Sequence, residues 1–286
     1  MMVAMPRKIA LPATPNERAA NLTGRPHLTF SEARTFQGCP LKWHFQYREK
    51  AKPEQLSSAM LLGTCVHAAI QQVMEAIMAC DHLPTIDGLM ETYRKTWDAE
   101  AKDIPMQFSK GQDVETSEAT AKRMIETFLT SDLACPQGEI IGIEENFRIT
   151  LSDDLPDLAG RIDLVTHENG ILWITDFKTA RSVPDQEAAE EAGEQLILYA
   201  QGCQPIANQL GATIRLQFLY INKTKEPKVE ASEIDMDSTR IHRSKLILRQ
   251  IFKAMESDHI YPAPSPINCG GCAFRKRCMT WNENSN

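Results

Sequence analysis

The chain has 286 residues, of which 42% are hydrophobic and 24% charged, and its formal net charge is −7. This composition is typical of a folded domain with a core and excludes a disordered or low-complexity polymer. No apolar run is long enough to predict a membrane span, and the N-terminal sequence lacks the apolar segment of a secretory signal, so we expect a cytoplasmic protein without a membrane partner. The acidic balance argues mildly against a nucleic-acid partner, unless divalent cations bridge carboxylates to phosphates.

The predicted elements define four regions. Residues 1–29 are expected to form a flexible arm. Residues 30–137 form a helical region, with helices predicted at 31–49 (capped by Ser31 and broken at Cys39-Pro40), 60–80, 86–102 and 114–132. Residues 138–235 form an α/β core, with strands at 139–149, 158–165 and 171–178, a helix at 184–203 and a strand at 212–221. Residues 236–286 contain a long helix at 237–257 and a cysteine-rich tail.

A hairpin is predicted between the second and third strands. Asn169-Gly170 separates two apolar runs, which is the strongest short signal for a two-residue type I′ turn. The register that follows from this turn places Asp163 opposite Asp176, and Arg161 opposite Lys178 on the same face.

Two carboxylates that face each other across a strand pair repel, unless a cation lies between them. Oxygen ligands of this kind suit Mg²⁺ or Mn²⁺, and Lys178 points the same way. The alternative is that Asp163 and Asp176 simply pair with Arg161 and Lys178 at a strand edge, and from the hairpin alone the two interpretations are evenly balanced. A register slip of one residue would also separate the two carboxylates.

The tail contains a second cluster of ligating residues. Cys269, Cys272 and Cys278 have the spacing Cx2Cx5C, which suits thiolate ligation of one metal centre whose fourth ligand comes from elsewhere in the chain. Four further cysteines stand alone among apolar or helical residues and are interpreted as small buried side chains: Cys65, Cys80, Cys135 and Cys203.

The motifs together resemble the PD-(D/E)xK nuclease superfamily, and within it the RecB-like branch of CRISPR-associated RecB-type exonucleases and the AddB nuclease domain. Gly160-Arg161-Ile162-Asp163 resembles the GxxD element, and Asp176-Phe177-Lys178 resembles the (D/E)xK element. The resemblance covers roughly residues 30–280. It implies a restriction-endonuclease-like α/β core with a mixed sheet, a helical N-terminal region and a cysteine-rich C-terminal region.

The same resemblance assigns roles to further residues. His67, in Gly63-Thr64-Cys65-Val66-His67, is implied as a ligand of Mg²⁺ or Mn²⁺, together with Asp163, Asp176 and the backbone carbonyl of Phe177. The family's further acidic ligand is expected at Glu144, with Glu145 as the alternative. Gln195 and Tyr199 match a QxxxY motif and share a helix face, so both are expected to contact the DNA backbone.

The resemblance also implies a fourth cysteine ligand. Gly38-Cys39-Pro40 resembles the element that begins iron–sulfur nucleases of the RecB type, so Cys39, Cys269, Cys272 and Cys278 are expected to bind a [4Fe–4S] cluster. A structural zinc site with four cysteines has the same spacing and stays open.

The function expected from the sequence is metal-dependent hydrolysis of DNA by Asp163, Asp176 and Lys178, acting as an exonuclease on single strands or frayed ends. The context is expected to be repair, recombination, phage or CRISPR processing, with a helicase, CRISPR or phage replication protein as a partner. One alternative is a RecB-like module that binds DNA ends or a partner with little cleavage. Another is an iron–sulfur redox sensor whose output is the nuclease.

Overall fold

The computed structural model of the protein describes residues 13–281. The α-helices are α1 (Pro15–Thr23), α2 (Phe30–Gly38), α3 (Pro40–Trp43), α4 (Ser58–Met78), α5 (Ile86–Ala101), α6 (Val114–Leu129), α7 (Gln186–Ala192), α8 (Glu194–Leu210), α9 (Ser238–Glu256), α10 (Pro266–Gly270) and α11 (Arg275–Thr280). The strands are β1 (Leu28–Thr29), β2 (Leu56–Ser57), β3 (Met106–Gln107), β4 (Glu139–Ile149), β5 (Leu158–Glu168), β6 (Ile171–Ala180), β7 (Thr213–Asn222) and β8 (Val229–Ile234). A π-helical turn, His44–Arg48, follows α3, and a 3-10 turn, Asp132–Ala134, precedes β4.

Six strands form one mixed sheet. β4, β5 and β6 are antiparallel neighbours, β7 is parallel to β6, and β8 is antiparallel to β7. The short strand β1 pairs in parallel with the start of β5, while β2 and β3 form a separate small parallel pair. The parallel step from β6 to β7 is made through α7 and α8, as a crossover connection requires. The fold class expected from the sequence, a mixed α/β core with a helical N-terminal region, is confirmed.

The β5–β6 hairpin has the register that Asn169-Gly170 predicts. The φ angles of the two turn residues are 49° and 76°, as a type I′ turn requires. Glu168 pairs with Ile171 and Leu164 with Thr175. The same register, continued by one residue, brings Asp163 opposite Asp176.

The sheet is covered by helices on both faces. On one face α1, α2, α8 and α9 bury a first core, to which the sheet contributes side chains such as Val165, Leu172, Ile174 and Phe218. On the other face α4, α5 and α6 bury a second core around Leu164, Phe177, Leu219 and Ile221. The end of β7 is almost continuously apolar because alternate side chains enter opposite cores.

One helix passes the length and composition test for a membrane span. In the described part of the chain, α4 is long and apolar enough to cross a bilayer, so the sequence-based exclusion on length is wrong for it. Half of its most apolar window is buried, and Val66, Ile70 and Val73 pack into the second core. A buried core helix satisfies the same test.

The predicted flexible arm is wrong for residues 13–29, while residues 1–12 lie outside the described part. Thr14 and Glu17 form a capping box at the start of α1. Asn16 hydrogen-bonds to Asp157 at 3.1 Å, and Arg18 Nη1 lies 2.7 Å from Glu256 Oε1. These contacts join positions far apart in sequence, which is why local composition did not reveal them.

Other boundaries differ for local reasons. The predicted helix at 31–49 begins earlier, because Thr29 and not Ser31 accepts the capping hydrogen bond from the Glu32 N–H at 3.1 Å. It is broken as predicted, since Cys39 is extended before Pro40. The predicted helix at 184–203 is two helices that meet at Gly193. Strand β8 was not predicted.

Candidate active site

The predicted catalytic residues gather where the sheet opens along one edge of β5. β4 pairs with β5 from Leu158 to His167 and occupies the other edge. On the open edge, β1 pairs at Leu158 and Ala159, and β6 pairs only from Leu164 onward. Residues 160–163 therefore have no strand partner on this edge among the described strands, and a cleft of about 600 Å³ opens beside them.

Three carboxylates from adjacent strands meet at this opening. Asp163 on β5 lies opposite Glu144 on β4, and opposite Asp176 on β6 by the hairpin register. Asp163 Oδ2 accepts a hydrogen bond from the backbone N–H of Phe177 at 2.8 Å. The Asp163 side chain thus accepts from the Phe177 N–H, which has no backbone partner because the hydrogen-bond ladder between β5 and β6 is interrupted here.

An irregularity in β4 selects which glutamate reaches the site. The β4–β5 register shifts between Ile140 and Gly142, and Glu144 has a left-handed φ of 52°. Such a φ is uncommon for a residue with a side chain and often marks a functional position. The Glu144 side chain is 14% exposed and lies near Asp163, whereas Glu145 is exposed. The structure therefore brings Glu144 to the cluster, and not the alternative Glu145.

Burial makes these carboxylates weak acids. Together with the neighbouring negative charges, it raises the pKa of Asp163 and of Asp176 each to about 6, although Lys178 opposes the shift. Burial also raises the pKa of Glu144, against the attraction of Arg161. The group is costly to ionise and is stabilised by added positive charge.

Two cations partly neutralise the cluster. Lys178 Nζ lies 2.6 Å from Asp176 Oδ2, and the Arg161 guanidinium contacts Glu144 Oε2. Both carboxylate oxygens are nevertheless buried without a well-oriented hydrogen bond from the described residues. Each of these oxygens therefore relies on a single cation, and the group of three acids would accept further positive charge.

His67 approaches the cluster from α4. Its Nδ1 lies 3.7 Å from Asp163 Oδ2, and its ring packs edge-on against Phe177 with centroids 6.4 Å apart. Burial lowers the pKa of His67, so its imidazole is neutral at pH 7 despite the attraction of Asp176. A neutral imidazole is the form that ligates metals.

A glycine one turn earlier lets α4 come this close to the sheet. A Cβ at Gly63 would lie 2.8 Å from Thr179 Oγ1 on β6, which is closer than van der Waals contact allows. Gly63 therefore sets the distance between α4 and β6, and with it the reach of His67.

Gln195 and Tyr199 line the cleft from α8. Burial raises the pKa of Tyr199 to about 12, and a hydrogen bond with Gln195 opposes the shift. The Tyr199 ring packs edge-on against Phe147 at 4.7 Å. A Cβ at Gly160 would lie 2.7 Å from the Phe147 ring and 2.8 Å from the Tyr199 ring. The first residue of the GxxD element is thus a glycine because two aromatic rings occupy the space of a side chain.

The family model described as the PD-(D/E)XK nuclease superfamily matches residues 27–279. The chain belongs to this superfamily. The match includes every candidate site residue, from Cys39 after α2 to Cys278 in the tail.

Among solved structures, this PD-(D/E)XK chain is similar to a crystal structure described as a "Putative exonuclease" from Eubacterium rectale. The two share 10% sequence identity with a TM-score of 0.54, and the similarity covers 96% of each chain. At this identity the likeness establishes the fold. A structure described as SSO0001 shares 13% identity over 87% of this chain and 94% of its own, with a TM-score of 0.35, which supports no argument. No curated protein matches the sequence significantly.

The carboxylate and imidazole groups of this site are ligands that suit a divalent cation, but their side chains are not arranged around a common position. Within residues 13–281, no group of three or more His, Cys, Asp or Glu side chains is arranged so that it could hold a metal ion. Asp176 and Glu144 are instead turned toward Lys178 and Arg161. The raised carboxyl pKa values indicate where additional positive charge would be accepted.

The four predicted cluster cysteines are neighbours beyond the C-terminal end of α2, although they do not form a group that could hold a metal ion as they stand within residues 13–281. All are free thiols of intermediate exposure. Burial raises the pKa of Cys278, and the neighbouring thiols of Cys39, Cys272 and Cys269 raise it further. Three of the four pack around a small apolar cluster of Leu41, Phe45 and Phe274. By contrast, Cys80 and Cys135 are exposed, which corrects their interpretation as buried, while Cys65 and Cys203 are buried as predicted.

Polar contacts hold the tail against the N-terminal helices. Asn268 Nδ2 donates to the Gly38 carbonyl at 2.8 Å. The Glu54 carboxylate accepts the backbone N–H groups of Lys276 and Arg277, both at 2.9 Å, at the start of α11. The tail is therefore docked by the protein's own hydrogen bonds.

The residues of one wall of the cleft were not predicted from the sequence. His27, Thr29 and Ser31 line it from β1 and the start of α2, and Asn146 lines it from β4. These residues carry no motif, and the pairing of β1 with β5 that brings them in is not encoded in a local pattern. Only the capping preference of Thr29 before a helical segment offered a signal.

Proposed function

We propose that this protein hydrolyses phosphodiester bonds of DNA with a bound Mg²⁺ or Mn²⁺, acting as an exonuclease on single strands and frayed ends. The observation that carries the proposal is the meeting of Glu144, Asp163 and Asp176 on three adjacent strands beside Lys178, at the one interrupted edge of β5. A DNA-end-binding module would have no need of mutually repelling buried carboxylates.

Asp163, Asp176 and Glu144, with His67 and the Phe177 carbonyl, are the residues that would hold the ion. When bound, a divalent cation neutralises charge that develops on the phosphoryl oxygens and acidifies a nearby water. Burial raises the pKa of Asp163 and of Asp176, so a bound cation would stabilise their ionised forms. Ion binding would release Lys178 from its pairing with Asp176.

Lys178 contributes to the reaction directly. Its Nζ lies 2.6 Å from Asp176 Oδ2, and its side chain is 37% exposed toward the cleft. An ammonium at this position orients the attacking water and stabilises the negative charge that builds on the phosphate. Gln195 and Tyr199 would contact the backbone and fix the strand.

The preference for single strands rests on the aromatic side of the cleft. The half-buried ring of Phe147 lies at its wall, edge-on to the buried ring of Tyr199, and an exposed aromatic ring is a surface on which unpaired bases stack regardless of sequence. Paired bases in a duplex do not present their faces in this way.

We further infer that Cys39, Cys269, Cys272 and Cys278 bind one [4Fe–4S] cluster as a structural staple. The proposal is supported by the influence of the Cys39, Cys272 and Cys269 thiols on the pKa of Cys278, which requires the three to lie near it. A zinc ion with four cysteine ligands is the competing occupant and would serve the same structural role.

The deciding experiment uses purified protein on end-labelled single-stranded and double-stranded DNA, with Mg²⁺, with Mn²⁺ and with EDTA. We expect cleavage of single strands from their ends with either metal and none with EDTA. Tight DNA binding without cleavage under all conditions would replace the nuclease by the end-binding module.

A further inference from the structure

The catalytic residues lie between two clefts that join. The first is the 600 Å³ cleft that holds Gln195 and Tyr199. A second cleft, of about 900 Å³, continues on the α4 side and is lined by Glu144, Thr179 and Lys223. Four residues line both: Ser31, His67, Arg161 and Lys178.

Lys223 is the unusual residue of the second cleft. It follows β7, where its backbone N–H donates to the Ala180 carbonyl at 2.8 Å, and its Nζ donates to the Ala59 carbonyl, also at 2.8 Å. Among the described residues, no carboxylate lies within ion-pair distance of Lys223, whereas Arg161 and Lys178 each have one. Burial and the nearby Arg181 lower the pKa of its ammonium. A bound anion would therefore stabilise the charged form.

We propose that the DNA strand crosses the catalytic carboxylates from the first cleft into the second, and that Lys223 binds a backbone phosphate beyond the scissile bond. The proposal rests on the proposed nuclease function and specifies its substrate path. Gln195 and Tyr199 would bind the strand on one side of the cleaved phosphate and Lys223 on the other. The contact with the Ala59 carbonyl fixes the ammonium while leaving two of its three donors for phosphate oxygens.

The first test measures DNA affinity in EDTA, where no cleavage occurs, with a short fluorescein-labelled single strand. Lys223→Met should weaken binding roughly 3- to 10-fold and lower the salt dependence by about 0.7 in the logarithmic slope, as expected for one lost phosphate contact. Lys225→Met is the matched control, because this exposed lysine of the same loop lies outside both clefts. Equal affinities of the two variants would overturn the proposal.

A second arm separates charge from the structural contact. Lys223→Gln keeps a hydrogen-bond donor for the Ala59 carbonyl but removes the charge, and Lys223→Arg keeps the charge. Melting temperatures report folding. We expect Lys223→Gln to bind as weakly as Lys223→Met and Lys223→Arg to bind nearly normally. Normal binding by Lys223→Gln would make Lys223 a purely structural residue.

The third arm locates the phosphate. Single methylphosphonate replacements along the oligonucleotide neutralise one phosphate at a time. Replacement of the phosphate that Lys223 contacts should weaken binding to the wild-type protein but not to Lys223→Met. That position should lie on the opposite side of the mapped cleavage site from the position silenced by Gln195→Ala. Silent positions on the same side would refute the path, whereas wild-type protein that cleaves no DNA would refute the proposed function itself.

Discussion

At the scale of single residues, the active site is a set of acidic side chains whose burial and mutual repulsion make ionisation unfavourable. Asp176 is buried and Asp163 is partly buried, and the two side chains face each other with pKa values of about 6. Lys178 lies on the same strand as Asp176 and offsets part of the repulsion. The arrangement costs stability in the absence of a cation and provides the ligands when one binds.

The first prediction is that Asp176→Asn and Lys178→Met each reduce DNA cleavage by at least about 100-fold, because they remove a ligand and the charge that stabilises the reacting phosphate. Both proteins should keep their circular dichroism spectrum. Asp153→Asn, at an exposed aspartate, is the matched control. Near-normal cleavage by Asp176→Asn would remove that residue from the site.

The second prediction concerns stability and pH. A carboxyl whose pKa rises on folding stabilises the folded state at low pH, and this contribution is lost as the pH rises through the folded pKa. For Asp163 and Asp176 the window runs from pH 3.8 to about 6. Asp163→Asn should therefore increase the free energy of unfolding of the metal-free protein at pH 7.5 by on the order of 1–3 kcal/mol, because the amide oxygen can still accept from the Phe177 N–H.

Denaturant unfolding in EDTA measures this effect. Asp157→Asn provides a control of opposite sign, since burial of Asp157 is outweighed by hydrogen bonds from Thr150, Arg148 and Asn16, which hold its pKa below the usual value. We expect Asp157→Asn to destabilise the protein. A destabilised Asp163→Asn variant would contradict the prediction, because it would show that ionisation of Asp163 does not lower the free energy of unfolding.

At the scale of elements, the register of the β5–β6 hairpin could be predicted from the sequence, but the conformation of β4 at Glu144 and the pairing of β1 with β5 could not. Asn169-Gly170 fixed the register because its turn type admits few alternatives. Glu144 has a left-handed φ that no local sequence pattern indicates, so the sequence could not distinguish it from Glu145. β1 was missed because two residues are too few for a pattern, although their pairing with β5 builds one wall of the cleft.

The third prediction tests the close packing of β5 against α8. Gly160→Ala would place a methyl group within 2.8 Å of the Phe147 and Tyr199 rings, so one ring must move. We expect a loss of about 1–3 kcal/mol in stability and a larger fractional loss in single-strand cleavage, because Tyr199 is displaced. Gly88→Ala, where a Cβ meets only an ordinary contact of 3.5 Å, should be tolerated. Unchanged activity in Gly160→Ala would separate the glycine from the site.

At the scale of the whole molecule, the tail closes the chain onto its N-terminal helices. The Cx2Cx5C spacing predicted a ligand cluster from residue identity alone, and only the resemblance pointed to Cys39. The structure brings the four thiols together although more than two hundred residues separate Cys39 from Cys269. A ligand that joins such distant positions constrains the unfolded chain more than a local one does.

The fourth prediction is that protein purified without air is brown and contains iron and sulfide, and that Cys39→Ala or Cys272→Ala loses both together with solubility. Metal binding at such a site contributes to folding, so the tail should detach when a ligand is lost. Cys80→Ala and Cys135→Ala, at exposed free thiols, are the controls and should behave normally.

Two results would contradict different parts of this interpretation. Colourless protein with one zinc per chain would keep the staple and exclude the iron–sulfur cluster. A fully stable Cys39→Ala variant would exclude the staple itself.

The placement of three of the four thiols after the last strand sets an order of events during synthesis. β8 ends at Ile234, and Cys278 follows 44 residues later in the chain. At translation rates of about 5–20 residues per second, the ribosome completes the sheet roughly 2–9 seconds before it adds the final thiol. The strands that carry the carboxylates of the cleft are therefore synthesised before the tail, and the tail can dock against the N-terminal helices only after those helices and the whole sheet have been made.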